Sequence, residues 1–211
     1  MGNTGAEIAL DLCEHGALPV ISVRGPTPLL PRDVLGIPIH LIAVLSRWLP
    51  LAVRDGVTTA IARLTLGDVR QYGLRQPARG PISAIERLGR VPVLDVGTLK
   101  AIKAGRIAVA PGVERFTRDG VILTDGRAVA LDAVVLATGY SADLASFVEG
   151  ASAALDARGY PRRPTGDVPG LHFVGFTSTS TGVLRELALT ADRVAAAIAY
   201  TAADFMKRRA R

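Results

Sequence analysis

The first nine residues constrain this chain more than any other stretch. Met1-Gly2-Asn3-Thr4-Gly5-Ala6-Glu7-Ile8-Ala9 carries the last two glycines of a G-x-G-x-x-G dinucleotide fingerprint and runs straight into the helix that follows it. In such a turn the glycines let the backbone approach a pyrophosphate, and the helix amino end offers free N–H groups and a positive dipole end. The first glycine and the apolar strand that lead into the turn do not precede it. Half of the motif at residue 1 reads as a piece of a longer nucleotide-binding enzyme.

The periodicity downstream supports that reading. Apolar and small residues from Thr4 to His15 fall at helical spacing, and Gly16 is placed to end the helix in a left-handed cap. Val20 to Arg24 then reads as a β-strand, so a helix feeds a strand as in the second half of a βαβ unit. Asp33 to Leu66 reads as mostly helical, interrupted at Gly36, Pro38, Pro50 and Gly56, and Pro77 to Pro92 as surface loop. Val96 to Ala104 is a predicted helix, and Ile107–Ala110 and Val113–Phe116 are predicted strands. Asp125-Gly126 forms a hairpin turn between Val121–Leu123 and Ala128–Leu131. Ala133 to Ala137 has the continuous apolar character of a strand buried on both faces. Past Gly139 come a polar, turn-rich stretch to Pro169, a buried strand at Leu171–Gly175, and an alanine-rich helix from Leu184 to Tyr200.

Composition removes several functions. The 211 residues include 25 Lys+Arg against 19 Asp+Glu, a net charge of +6, but the arginines are scattered and aromatics are only 5%. A base-stacking platform is therefore not expected, and nucleic acid is no partner. The basic run Lys207-Arg208-Arg209-Ala210-Arg211 reads as solvated. Cys13 is the only cysteine, which excludes an intrachain disulfide and suits a reducing, cytoplasmic location. Ile39 to Val53 is apolar but broken by Arg47 and Pro50, and is too short to span a bilayer. Membrane contact is not expected. His15, His40 and His172 have no metal-ligand spacing, neither a G-x-S-x-G elbow nor a P-loop occurs, and no catalytic residue is assigned.

Arg24, at the end of the strand after the glycine turn, occupies the position that faces the adenosine ribose. An acidic residue there favours NAD, whereas a guanidinium matches the 2′-phosphate of NADP. Arg32 could add a second charge. Gly175, ahead of the Thr177-to-Thr181 run, is a second candidate approach for a phosphate or a flavin, although those hydroxyls could equally cap a helix.

Four elements stand in order along the chain. They are Gly2-Asn3-Thr4-Gly5-Ala6-Glu7, Leu30-Pro31-Arg32, Pro92-Val93-Leu94-Asp95-Val96-Gly97 and Val135-Leu136-Ala137-Thr138-Gly139-Tyr140, and Gly170 to Phe176 follows them. Together they resemble the flavin-containing monooxygenases, in particular their YUCCA-like branch. The resemblance implies an α/β fold: a truncated Rossmann-like NADP-binding domain over residues 1–140, with a helical insertion at about 33–66. Residues 141–211 would form the C-terminal fragment of the FAD-binding domain of a two-dinucleotide-binding flavoprotein. It also implies NADPH and FAD as cofactors, with O₂ adding to the reduced flavin as a C4a-(hydro)peroxyflavin and one oxygen atom passing to a small organic substrate.

Carried over by position, Gly2, Asn3, Thr4 and Gly5 would lie at the NADP pyrophosphate and Arg24 at the 2′-phosphate. Ala137, Thr138 and Gly139 would line the passage between nucleotide domains, and Gly175 and Phe176 would sit toward the flavin. The FAD-binding glycine motif of the family has no equivalent here, and Gly25 stands where a hydroxyl residue often follows the arginine. The chain alone is therefore expected to be inactive, and a separately encoded FAD-binding half is a partner that would complete it. Two other readings stay open: a non-catalytic NADP-binding remnant, and a relative of the flavin disulfide reductases, for which Cys13 alone cannot supply a redox C-x-x-C pair.

Overall fold

The computed structural model describes residues 1–78, 80–89, 91–176 and 179–209. These form two compact units, Met1–Gly139 and Tyr140–Arg211. The fold is mixed α/β, built on small sheets.

The first unit opens with α1 (Asn3–Glu14), whose small buried faces at Ala6 and Ala9 let it lie close to its neighbours. It ends as its glycine requires. Gly16 takes φ +88, its N–H reaches Cys13 O, and the N–H of Ala17 reaches back to Leu12 O. That is the double bond of a Schellman cap. Next come β1 (Val20–Ser22), β2 (Leu29–Pro31), β3 (Asp33–Val34), β4 (Ile37–Pro38), α2 (Ile39–Leu45) and α3 (Leu51–Leu66). After a 3₁₀ turn at Val69–Tyr72 follow α4 (Pro81–Leu88), β5 (Val93–Asp95), α5 (Thr98–Lys103) and β6 (Ala108–Ala110). β7 (Val113–Phe116), β8 (Gly120–Leu123) and β9 (Ala128–Ala130) complete the unit as an antiparallel sheet, turned at Asp125-Gly126 as the sequence predicts.

β1 pairs in parallel with β6, Val20 opposite Ala108, and β2 in parallel with β5, Leu29 opposite Val93. One apolar core serves both ladders, with Leu29, Leu74, Val93 and Ile107 almost fully enclosed.

Several expectations give way. The segment Asp33–Pro38 is a hairpin, not helix, turned by Leu35 and Gly36 at φ +51 and +80. Gly56 does not interrupt α3, because flanking helical residues carry its backbone through. The expected loop Pro77–Pro92 contains α4, and its punctuation turns out to be the two helix ends. Pro81 sits in the first turn, where no N–H is needed, and Gly89 makes the left-handed exit. Ala133–Ala137 is not a buried strand: its backbone is irregular, and Leu136 is 72% exposed. An apolar run becomes a strand only beside another strand, and none of the described sheets places one there.

In the second unit the turn-rich stretch folds around Leu144, Ala151, Ala154, Leu155 and Phe173. Leu171–Gly175 is likewise not a strand. Leu171 N–H closes a turn on Val168 O and Phe173 N–H bonds Pro164 O, so the backbone is committed to local turns. The predicted C-terminal helix is present as α6 (Val183–Arg209). Thr177 and Ser178 of the threonine run, and Ala210 and Arg211 of the basic tail, lie outside the described residues. No described helix is long and apolar enough to cross a membrane.

One long-range cap fixes α3 against α4. No side chain of its own caps α4, but Asp55 on α3 accepts from the N–H of Ile82 at 2.8 Å and of Ser83 at 3.0 Å, and from the Ser83 hydroxyl. Beside it, buried Arg54 pairs with Glu86 at 3.0 Å. Asp55→Ala leaves those donors without an acceptor and should cost about 2 kcal/mol of unfolding free energy in urea titration.

Asp68, which precedes the 3₁₀ turn, is held down to about 2, first by its side-chain bond with Arg70 and then by the Arg70 N–H. A depressed carboxylate contributes stability above its ordinary value of 3.8 and loses it as pH falls toward 2. Asp68→Asn should therefore lower the melting temperature at neutral pH, and the gap to the unmodified protein should close over that acid range.

Candidate dinucleotide site

Gly2 enters α1 in extended conformation, φ −120 and ψ 177, and no side chain caps the helix. Nothing but its chain neighbours lies within 4 Å of where a Gly2 Cβ would be. First-turn N–H groups that no side chain caps, at a positive dipole end, are the chemistry that attracts an anion.

Asn3 faces elsewhere. Its Nδ2 donates to Pro92 O at 3.0 Å and its Oδ1 accepts from Leu94 N–H at 2.9 Å. One amide thus pairs with the outer edge of β5 as a neighbouring strand would. Thr98 on α5 ties the same helix further along, donating to Ala6 O at 3.0 Å. Thr4 is exposed. Gly5 adjoins Ala137, whose Cβ would lie 3.4 Å from a Cβ at Gly5, in ordinary van der Waals contact.

Arg24 is exposed just beyond β1, its stem 3.2 Å from where a Gly112 Cβ would sit. Its charge reaches the start of the chain. The Met1 ammonium is pushed below its ordinary value of 8.0, first by burial and then by Arg24. Of the residues the sequence assigns to the nucleotide, Gly5 and Ala137 are in contact. Thr138 and Gly139 continue from Ala137, exposed, with Gly139 at φ +90. Arg32 is placed differently. It follows β2 and pairs with Asp33 at 3.7 Å on the exposed hairpin.

Gly175 and Phe176 belong to the second unit. Gly175 bends at φ +94 over Leu187, and Phe176 packs edge-on against Phe173 with ring centres 6.1 Å apart. Two buried polar atoms nearby in sequence have no hydrogen-bond partner, Oδ2 of Asp167 and Nδ1 of His172, and they flank the Val168–Leu171 turn. His172 has no metal-ligand spacing in the sequence, and Asp167, in a turn-rich stretch, carries no pattern.

The structural residues that periodicity missed are Asp55, Thr98 and Asp95, whose Oδ1 caps α5 through the N–H of Gly97 and Leu99. Only the last had a readable signal, an aspartate just ahead of a helical run.

The chain resembles named proteins along most of its length. It is 42% identical over 181 residues to indole-3-pyruvate monooxygenase YUCCA1 of Oryza sativa subsp. japonica, a match covering 83% of this chain and 45% of that protein. It is 44% identical over 149 residues to indole-3-pyruvate monooxygenase YUCCA8 of Oryza sativa subsp. indica, covering 70% of this chain and 35% of that one. Identity to the probable indole-3-pyruvate monooxygenase YUCCA7 of Arabidopsis thaliana is 37% over 180 residues, covering 83% and 42%. This sequence belongs to the flavin-containing monooxygenase family, in its YUCCA-like branch. The chain spans less than half the length of these YUCCA relatives. No protein-family model matches it.

The Asn3 bonds separate two roles for that residue. If Asn3 acts chiefly as a strand-edge clamp, Asn3→Ala should lower unfolding free energy by about 1–2 kcal/mol in the absence of any nucleotide. A thermal or urea melt of the ligand-free protein reads this directly, and an unchanged melt would assign Asn3 to the ligand instead.

Proposed function

We propose that this chain supplies the NADP-binding part, and a flavin-side segment, of an NADPH- and FAD-dependent monooxygenase. The substrate class is a small 2-oxo acid with an apolar aromatic body, of the kind named for the YUCCA relatives. The observation that carries the reading is the amino end of α1, which no side chain caps, in a chain 42% identical to an indole-3-pyruvate monooxygenase.

The residue types fit the nucleotide. The first turn of α1 offers backbone N–H groups that no side chain caps, and the exposed Arg24 offers paired donors of fixed charge, which suit a 2′-phosphate better than a bare ribose. Asn3 acts from behind, holding β5 against the helix. Arg32 contributes little while Asp33 neutralises it. Thr138 and Gly139 extend from the Ala137 contact and supply a flexible, polar approach to the bound nucleotide. For the flavin the described residues offer Gly175 and Phe176, an apolar edge rather than a cradle. Bound together, NADPH and FAD supply hydride and activate O₂, one oxygen atom entering the substrate and the other leaving as water.

This part is inactive without the remaining polypeptide, whether joined to it or separately encoded. The exposed apolar run at Val134–Leu136 and the unpaired outer edge of β1, whose sheet has only two strands, support that dependence. A cytoplasmic location accompanies the reading, on the strength of the single unpaired Cys13.

The test has two parts. After incubation with FAD and removal of excess, the purified chain should be colourless, and retained flavin bands bleached by NADPH would overturn its inactivity. Titration should then show NADPH binding about tenfold tighter than NADH, with Arg24→Ala removing most of the difference. Equal affinities in the unmodified protein would sink the role given to Arg24.

A further inference from the structure

The side chain of Arg24 is directed by its stem, because nothing holds its head. The residue is exposed, and no carboxylate pairs with it among the described residues. What the guanidinium can reach therefore depends on how the first carbons of the side chain leave the backbone.

The ground beside that stem is firm. β1 ends at Ser22 and β6 at Ala110, and the two chains leave their ladder side by side. Val23 N–H donates to Ala110 O at 2.8 Å, and the Ser22 hydroxyl donates to Pro111 O at 2.9 Å. From the antiparallel sheet, Thr124 N–H donates to Gly112 O at 2.8 Å. Pro111 and Gly112 are thus fixed on two flanks.

Gly112 has no backbone reason to be glycine, since it is not one of the positive-φ positions. Space is the reason. A Cβ added there would lie 3.2 Å from Cγ of Arg24 and 3.4 Å from Cγ2 of Thr124. Carbon atoms in optimal contact stand about 3.5–4.0 Å apart, so the arginine contact is the tighter of two short ones. Thr124 is β-branched and stiff at χ1, and its backbone is bonded to Gly112 itself. The arginine is the group that would give way. A shift at Cγ is carried outward through the remaining bonds of the stem, so the guanidinium would move further than the carbon that is pushed.

We propose that Gly112 is a positioning residue for Arg24. The gap it leaves beside Thr124 seats the arginine stem, sets the direction from which the guanidinium meets a 2′-phosphate, and so governs the preference for NADPH over NADH. The inference rests on the role proposed above for Arg24 and adds a residue that acts only through it.

Dissociation constants of NADPH and NADH are measured on the full chain by nucleotide fluorescence, for the unmodified protein, Gly112→Ala, Arg24→Ala and the double variant. Gly112→Ala should weaken NADPH about threefold and leave NADH unchanged. Its melting temperature should not fall, because the backbone there admits alanine. With Arg24→Ala already in place no Cγ remains to be met, and adding Gly112→Ala should change neither constant further. Gly112→Val, with two more carbons, should remove most of the preference.

Three results overturn the inference and leave the role of Arg24 standing: NADPH affinity unchanged in Gly112→Ala, equal weakening of both nucleotides, or a further loss in the double variant. An Arg24→Ala protein that keeps the full preference for NADPH overturns the reading of Arg24, and this inference with it. A full chain that binds neither nucleotide does the same.

Discussion

The amide of Asn3 is the junction on which the first unit depends. It satisfies the Pro92 carbonyl and the Leu94 N–H on the outer edge of β5. At the far edge of the same two-stranded sheet Gln76 does the same for β2, bonding both the N–H and the C=O of Leu29 at 3.2 Å. A parallel pair of three-residue strands is a weak object in water, because each outer edge presents unpaired backbone groups. Here two side-chain amides stand in for the missing neighbours. Asn3 therefore does more than edge the sheet: it fastens β5 to the first turn of α1. The buried Thr98 hydroxyl on Ala6 O repeats the fastening one turn later. The position of the amino end of α1 is set from behind, by side chains that face the protein.

That arrangement explains which parts of the molecule were legible in the sequence. Local signals read well. Gly16 ends α1 because a left-handed residue is required there, and Asp125-Gly126 turns β8 into β9 because both positions suit that turn. Signals that were local but ambiguous read poorly. Gly80, Pro81 and Gly89 look like loop punctuation until α4 is seen between them. Leu35-Gly36 contains only one residue that advertises a hairpin, so the helical spacing around it dominated. Signals that depend on distance were invisible: Asp55 caps a helix 27 residues away, and Asn3 pairs with a strand 91 residues away.

The candidate site divides along the same line. Gly2 and Gly5 were readable as a motif, but the neighbour that Gly5 meets, Ala137, was not. Asn3 sat inside the motif and proved to face the protein. Arg24 was readable as a candidate from its place just after β1, where it stands exposed. Arg32, offered by the sequence as a second charge, stands on the exposed hairpin and pairs with Asp33 at 3.7 Å.

Two apolar features of the first unit remain in water for different physical reasons. Val134 to Leu136 form a run without turn residues or charges, and what they lack is a hydrogen-bonding neighbour, so the missing element is backbone. The hairpin tip and α2 have their backbone bonds already, through the β3–β4 pairing and the helix itself. What they lack is cover for side chains. A strand edge is completed only by another strand, whereas a side-chain surface can be completed by anything apolar bordered by the right charge. The first feature therefore bears on how the sheet is completed and the second on what its side chains pack against.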